Sequence, residues 1–312
     1  SNIDSVQRFL QLRRDDVLLG ILPFFHSFGY TATMWTMLTL EPKAVYHYSP
    51  LEARQVGKLC QEHGVTILVG SPTFLRCYTR RCAPEEFATL DVVVAGSEKL
   101  PQDVSNEFEK KFGIRPVEGY GTTELAPVVS VNLPRSRAVT PSDSGVKEGS
   151  VGRPLPNVRA KIVDLDTGED LGIGKSGMLL IAGPNVMKGY LDEPEKTAEV
   201  LQNGWYKTGD VAMIDSEGFI TITGRESRFA KIGGEMVPQV TVEEMIGKVL
   251  ANAPISPAED DDLLDRQFVV TAVPDPRKGE RLVVLHTGLP RTPEEICRAL
   301  AETDLPRLWI PS

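Results

Sequence analysis

From its start to about residue 130 the chain alternates short apolar runs with amphipathic stretches, the pattern of strand, helix, strand in a mostly parallel sheet. Strands are predicted at 17–22, 43–46, 67–70, 92–95 and 116–120, with helices at 51–63 and 102–112, the second opened by Pro101. From Gly149 the pattern becomes short β runs punctuated by glycine: 158–164, 177–182, and a pair at 211–214 and 219–223 joined across Asp215-Ser216-Glu217-Gly218. A small β-barrel and a sandwich both fit that stretch. After Gly224 the spacing predicts a helix over 240–250, strands at 268–273 and 281–286, and a helix over 293–302, a small α+β unit. The expected organisation is therefore an α/β part over 1–148, a β-barrel subdomain over 149–224 and a small α+β domain over 225–312. The Ser-, Pro- and Thr-rich run 135–147 reads as an exposed loop, and the acidic run 259–262 as a solvated one.

A length of 312 residues exceeds what one core usually organises, which agrees with a large and a small domain. The net charge of −9 opposes binding to a phosphate backbone, so nucleic acid is not an expected partner. Cys60, Cys77, Cys82 and Cys297 form no CxxC pair, and His26, His47, His63 and His286 add no ligand-like spacing, which points to a reducing compartment and no structural zinc. Residues 17–40 hold no Asp, Glu, Lys or Arg and are long enough to span a bilayer. Pro23, His26, Ser27, Gly29 and four threonines interrupt them, so the expectation is a strand, a loop and then a buried helix. No cationic start followed by an apolar core suggests a secretory signal. Gly168 to Ser176 imitates a phosphate-binding loop, but five residues separate Gly168 from Gly174 where that loop requires four, and Asp166-Thr167-Gly168 reads as a hairpin tip.

Chemistry concentrates at Tyr120-Gly121-Thr122-Thr123-Glu124, at the end of a predicted parallel strand, where ligands bind in such folds. An aromatic face, a glycine permitting close backbone approach, two hydroxyls and a carboxylate suit a nucleotide with its Mg²⁺. A Gly-Thr turn with a helix-capping threonine fits the same residues. Further along stand Thr208-Gly209-Asp210 and Gly224-Arg225, at the two ends of the predicted hairpin.

Together with Pro23-Phe24-Phe25-His26, Gly96-Ser97-Glu98 before Leu100-Pro101, and Lys231-Ile232-Gly233-Gly234-Glu235, this ordered set resembles the adenylate-forming superfamily. That superfamily includes acyl-CoA synthetases, peptide-synthetase adenylation domains and luciferases. The resemblance implies a partial large domain, a mostly parallel sheet plus a small β-barrel, and a small α+β domain. It implies ATP, AMP and Mg²⁺ as cofactors, with Tyr120 flanking the adenine, Thr123 on the α-phosphate, and Gly121 and Thr122 also binding the cofactor. Glu124 would bind the metal, Gly96, Ser97 and Glu98 would line the adenine side, and Asp210 supported by Arg225 would hold the ribose hydroxyls. His26 would lie near the wall between acyl pocket and thiol channel, although a buried, satisfied histidine is the alternative. Arg228 stands at the position about which the small domain swivels, where relatives often carry Asp or Lys. The Lys231 region with its flexible Gly233-Gly234 loop would face the active site during thioester formation.

Arg228 to Val237 is most similar to bacterial acyl-acyl-carrier-protein synthetases fused to a 2-acylglycerophosphoethanolamine acyltransferase. That branch implies a fatty acid and acyl carrier protein, or coenzyme A, as partners. It also implies a cytoplasmic protein, or one held at the cytoplasmic face of the inner membrane through an upstream acyltransferase domain. Apolar residues such as Phe24, Phe28 and Trp35, with no Asp early in the pocket-forming stretch, suit an acyl chain better than an amino acid. The family's phosphate-cradling loop and its late catalytic lysine stretch are not among these 312 residues, so the expectation is a piece that binds AMP weakly and does not form acyl-AMP.

Overall fold

The computed structural model describes residues 2–40, 42–138, 145–251 and 268–311. The acidic run 259–262 and part of the 135–147 loop lie outside them. The chain divides into two compact units, one of residues 1–208 with 212–222 and one of residues 209–211 with 223–312.

The first unit is built on a seven-stranded sheet of β1 (Val17–Gly20), β2 (Lys43–Tyr46), β3 (Ile67–Gly70), β4 (Val92–Ala95), β5 (Val117–Gly121), β6 (Val128–Val131) and β7 (Arg153–Pro154), in the order β2-β1-β3-β4-β5-β6-β7. The first five strands run parallel, and β6 and β7 add on antiparallel. Continuous Val, Ile and Leu runs make β1, β3 and β4 buried along their whole length, as strands covered on both faces require. Helices Ala53–His63 and Gln102–Phe112 stop at Gly64 and Gly113, each in the left-handed conformation that glycine supplies at a helix end. A further helix, Pro72–Arg81, begins at Ser71, whose hydroxyl accepts from the Phe74 N–H at 3.4 Å.

The uncharged stretch resolves into β1, a loop, a wide helical turn at Gly29–Trp35 and the short helix Thr36–Leu40. Among the described residues no helix is long and apolar enough to cross a membrane. The helical segment is not the buried one expected. Gly29, Thr33, Thr36 and Met37 face inward, while Tyr30, Trp35 and Leu38 are exposed. Threonines explain the wide turn: the Thr33 and Thr36 hydroxyls donate to the Gly29 and Thr31 carbonyls at 2.6 and 2.8 Å, competing with the regular backbone ladder.

A buried ion pair locks one end of this unit. Arg137 Nη2 lies 2.6 Å from Asp16 Oδ1 and 2.9 Å from Asp91 Oδ2, with the Arg137 side chain fully enclosed. Burial pushes the Asp16 carboxyl up, but the Arg137 guanidinium and the Arg13 N–H more than offset it and hold the group below its usual range. Cys60, Cys77 and Cys82 are buried free thiols in the same unit, and Cys297 of the other unit is half-buried. Burial raises the Cys82 thiol to about 12 and drives Cys60 higher still.

The second sheet contains β8 (Arg159–Val163), β9 (Ser176–Ala182), β10 (Leu201–Gln202), β11 (Trp205–Ile214) and β12 (Ile220–Arg225). It is a single antiparallel sheet curled into a half-barrel, ordered β10-β11-β9-β8 with β12 on β11, and among the described residues no second layer makes it a sandwich. The Asp166-Thr167-Gly168 run does form a tip between β8 and β9, where Asp164 Oδ1 accepts from the Asp166 and Thr167 N–H groups.

The other unit is a small α+β fold of β13 (Phe229–Ile232), β14 (Glu235–Pro238), β15 (Phe268–Asp275) and β16 (Gly279–His286), ordered β14-β13-β16-β15, with helices Gln239–Ala251 and Pro293–Ala301. Its core gathers Ala230, Ile232, Val237, Ile246, Val270 and Leu300. Gly233-Gly234 forms a tight turn. Both residues have positive φ, +59° and +89°, and close the two-residue turn of the β13–β14 hairpin.

Candidate nucleotide site

In the order β2-β1-β3, successive strands diverge to opposite sides of β1, and ligands bind beyond the carboxyl ends of parallel strands at such a reversal. The loop carrying His26 follows β1, Gly96-Ser97-Glu98 follows β4, and Tyr120 to Glu124 end β5, so three of the predicted segments share that edge.

At the end of β5 the chain turns sharply. The Thr122 N–H donates to the Pro127 carbonyl at 3.0 Å, and this folds Gly121 against Pro127 so closely that a Cβ on Gly121 would sit 2.0 Å from that oxygen. The single helical turn Thr123–Leu125 follows. Thr122 stands at its cap position, but its side chain makes no capping bond, so the capping alternative accounts for the turn and not for the hydroxyl. Thr123 is left exposed, and Tyr120 and Glu124 are half-buried.

The Thr123 hydroxyl lies 3.2 Å from that of Ser27, which ties the turn to the loop after β1. In that loop His26 is exposed, and its Nδ1 accepts from the Phe28 N–H at 3.1 Å. The buried-histidine alternative does not hold: with Nδ1 occupied in starting the helical turn, the ring stands out toward solvent. Phe28 packs over Gly96, where a Cβ would lie 3.0 Å from the ring. Ser97 takes a left-handed conformation at φ +72°, unusual for a side-chain-bearing residue. Glu98 accepts from the Thr73 hydroxyl at 3.2 Å.

Partial burial pushes the Glu124 carboxyl up, yet its own backbone N–H and the Tyr190 hydroxyl, 2.9 Å from Oε1, hold it below the usual carboxylate range. It is thus charged at neutral pH. Among the described residues no cluster of three or more His, Cys, Asp or Glu exists. A single hard carboxylate beside an exposed hydroxyl fits Mg²⁺ held jointly with substrate phosphates, not a cage of protein ligands.

In the other unit, Asp210 is buried and its Oδ1 receives Arg225 Nε at 2.7 Å, leaving the guanidinium largely exposed. Gly209, at φ +75°, breaks the pleat of β11 just before Asp210. The Arg228 guanidinium pairs with the buried Glu243 carboxylate, whose Oε1 also accepts the Val270 N–H at 2.8 Å. Lys231 sits in β13 with its side chain exposed, and its N–H donates to Glu280 Oε2 at 2.5 Å.

Ser27, Tyr190 and Glu243 escaped the sequence reading. Ser27 adjoins a quoted motif, and Glu243 lies on a correctly predicted helix. Tyr190 ends an irregular Gly- and Pro-containing run with no periodicity to mark it.

The family described as AMP-binding enzyme matches residues 1–191. The chain belongs to that family. A long-chain-fatty-acid–CoA ligase of Bacillus subtilis (strain 168) is 34% identical over 288 residues, covering 89% of this chain and 47% of the relative. A probable 4-coumarate–CoA ligase 1 of Dictyostelium discoideum is 33% identical over 239 residues, covering 75% and 42%. Among solved structures, ATP-bound MatB from Rhodopseudomonas palustris matches with a TM-score of 0.81 at 26% identity, covering 100% of this chain and 58% of that one. The AMP complex of O-succinylbenzoate coenzyme A synthetase from Bacillus subtilis matches at 0.78 and 25% identity, covering 100% and 59%. The fold is that of acyl-CoA synthetase-like adenylate-forming enzymes, and the chain spans about half the length of the curated relatives it matches.

Proposed function

We propose that this chain is the nucleotide-holding part of an AMP-forming acid–thiol ligase. In that reaction a carboxylate oxygen attacks the α-phosphorus of ATP and pyrophosphate leaves; a thiol sulfur then attacks the acyl carbon and AMP leaves. The observation that carries the reading is the set of Thr123, Glu124, Ser97 and His26 at one edge of the parallel sheet, with Ser27 bonded to Thr123. Tyr120 would offer its ring to the base and Thr123 its hydroxyl to the α-phosphate. Glu124, already charged, would accept Mg²⁺, which supplies neutralisation of phosphate charge. Asp210, oriented by Arg225, would take the ribose diol through both carboxylate oxygens.

The names of the relatives favour a fatty or aryl acid and coenzyme A. A carrier-protein acceptor, and with it a place at the cytoplasmic membrane face, is supported by two short segments, Arg228 to Val237 and Leu305 to Pro311.

Calorimetry with AMP tests the site. Wild-type chain should bind, and Tyr120→Ala and Asp210→Asn should each weaken binding about 10-fold, the loss of a stacking face or a charged hydrogen bond. No binding by wild type at millimolar AMP would overturn the reading. Thioester formation from palmitate with coenzyme A or carrier protein, assayed in the full-length protein, separates the two acceptors.

A further inference from the structure

Tyr190 belongs to none of the motifs that carry the family resemblance, yet its hydroxyl donates to Glu124 Oε1 at 2.9 Å. The run that ends in Tyr190 is fastened to the same turn at two backbone points. The Met187 N–H donates to the Glu124 carbonyl at 2.8 Å, and Asn185 Nδ2 donates to the Leu125 carbonyl at 3.0 Å. Tyr190 is itself held from behind, its N–H donating to Thr197 Oγ1 at 2.9 Å on the helix Pro194–Val200. Tyr206 of β11 is buried, and that burial, the Glu124 carboxylate and the Tyr190 phenol together hold its hydroxyl protonated.

A glutamate on one helical turn has three rotatable side-chain bonds, and a divalent cation shared with phosphates accepts only a narrow range of oxygen positions. A phenol is well suited to remove that freedom: it fixes one carboxylate oxygen without bringing a positive charge that would compete with the metal. Partners that orient a metal-binding carboxylate in this way commonly govern metal affinity.

We propose that Tyr190, backed by Tyr206, is a positioning residue for Glu124, fixing the carboxylate in the orientation that receives a divalent cation bound with the nucleotide phosphates. The proposal rests on the nucleotide site described above. It gives the segment leading to Tyr190 a role in orienting Glu124 and not only in bracing the turn.

The experiment is calorimetric titration of the whole chain with ATP, with and without MgCl₂, together with metal-free AMP. Tyr190→Phe keeps the ring and removes the hydroxyl. It should leave metal-free AMP binding unchanged and reduce the gain in ATP affinity on adding Mg²⁺ by about 10-fold. Tyr206→Phe should act in the same direction more weakly, and serves if Tyr190→Phe fails to fold. Glu124→Gln should abolish the Mg²⁺ gain, and adding Tyr190→Phe to it should change nothing more. A full Mg²⁺ gain in both tyrosine variants, or equal losses with and without metal, would overturn the proposal and leave Tyr190 a brace. Wild-type chain that binds AMP but shows no Mg²⁺ gain would also overturn it, whereas wild type that binds no AMP overturns the nucleotide site first.

Discussion

At Gly121 a Cβ atom would lie 2.0 Å from the Pro127 carbonyl oxygen, while at Gly234 it would meet nothing within 4 Å. Both glycines sit in turns beside candidate site residues, but they are needed for different reasons. The turn after β5 requires glycine because two backbone segments touch, and the touching places Thr123 and Glu124. The hairpin turn before Glu235 requires it only because φ is positive there. Contact sets the first site and conformation the second. A contact between backbones cannot yield, whereas a conformational preference has a bounded cost.

The most severe test of this contrast lies in the anchor of the crowded unit. Arg137→Ala leaves Asp16 buried without its partner and should cost about 3–5 kcal/mol, read by urea unfolding of the first unit. Gly121→Ala should follow with about 1–3 kcal/mol of overpacking and, because the turn must shift, at least about a 10-fold loss of AMP affinity by calorimetry. Acid should weaken the first unit next. The folded Asp16 carboxyl lies below its ordinary 3.8, so its contribution is fully present above that value and is lost as pH falls through the lower folded one. The unfolding midpoint should therefore drop below about pH 4, and the Asp16→Asn, Arg137→Met pair should flatten that limb. Gly234→Ala should cost only about 1 kcal/mol with AMP binding unchanged, and Gly233→Asn a few tenths, since asparagine tolerates the left-handed region. Equal penalties at Gly121 and Gly234 would erase the distinction between the two turns.

Much of this architecture was legible because it rests on local rules. The strands at 43–46, 67–70 and 92–95 and the helix over 102–112 begin and end where their apolar runs and glycine stops place them. The misreadings have specific causes. β11 starts at Trp205, not at 211, because Thr208 and Asp210 put polar groups at buried positions and break the alternation. The helix Pro72–Arg81 was passed over although Ser71-Pro72 and Arg80-Arg81 mark its ends. The strands on either side of 233–234 were passed over, so the tight reversal between them was not seen.

The candidate site was legible where residues are adjacent in sequence, as in Tyr120 to Glu124. It was not where they meet only through folding: Ser27 and Thr123 are 96 positions apart, and Tyr190 and Glu124 are 66. Arg228 was placed as a swivel by its position alone, and only the structure ties it to Glu243.

The distribution of thiols gives the protein its own gauge of unfolding. Three are sealed in the first unit, and burial keeps Cys60 and Cys82 protonated, so a thiolate-seeking dye finds them only when that unit opens. Cys297, half-buried in the other unit, reports separately. Counting labelled sulfurs over time therefore distinguishes which of the two units has come apart, with no engineered site.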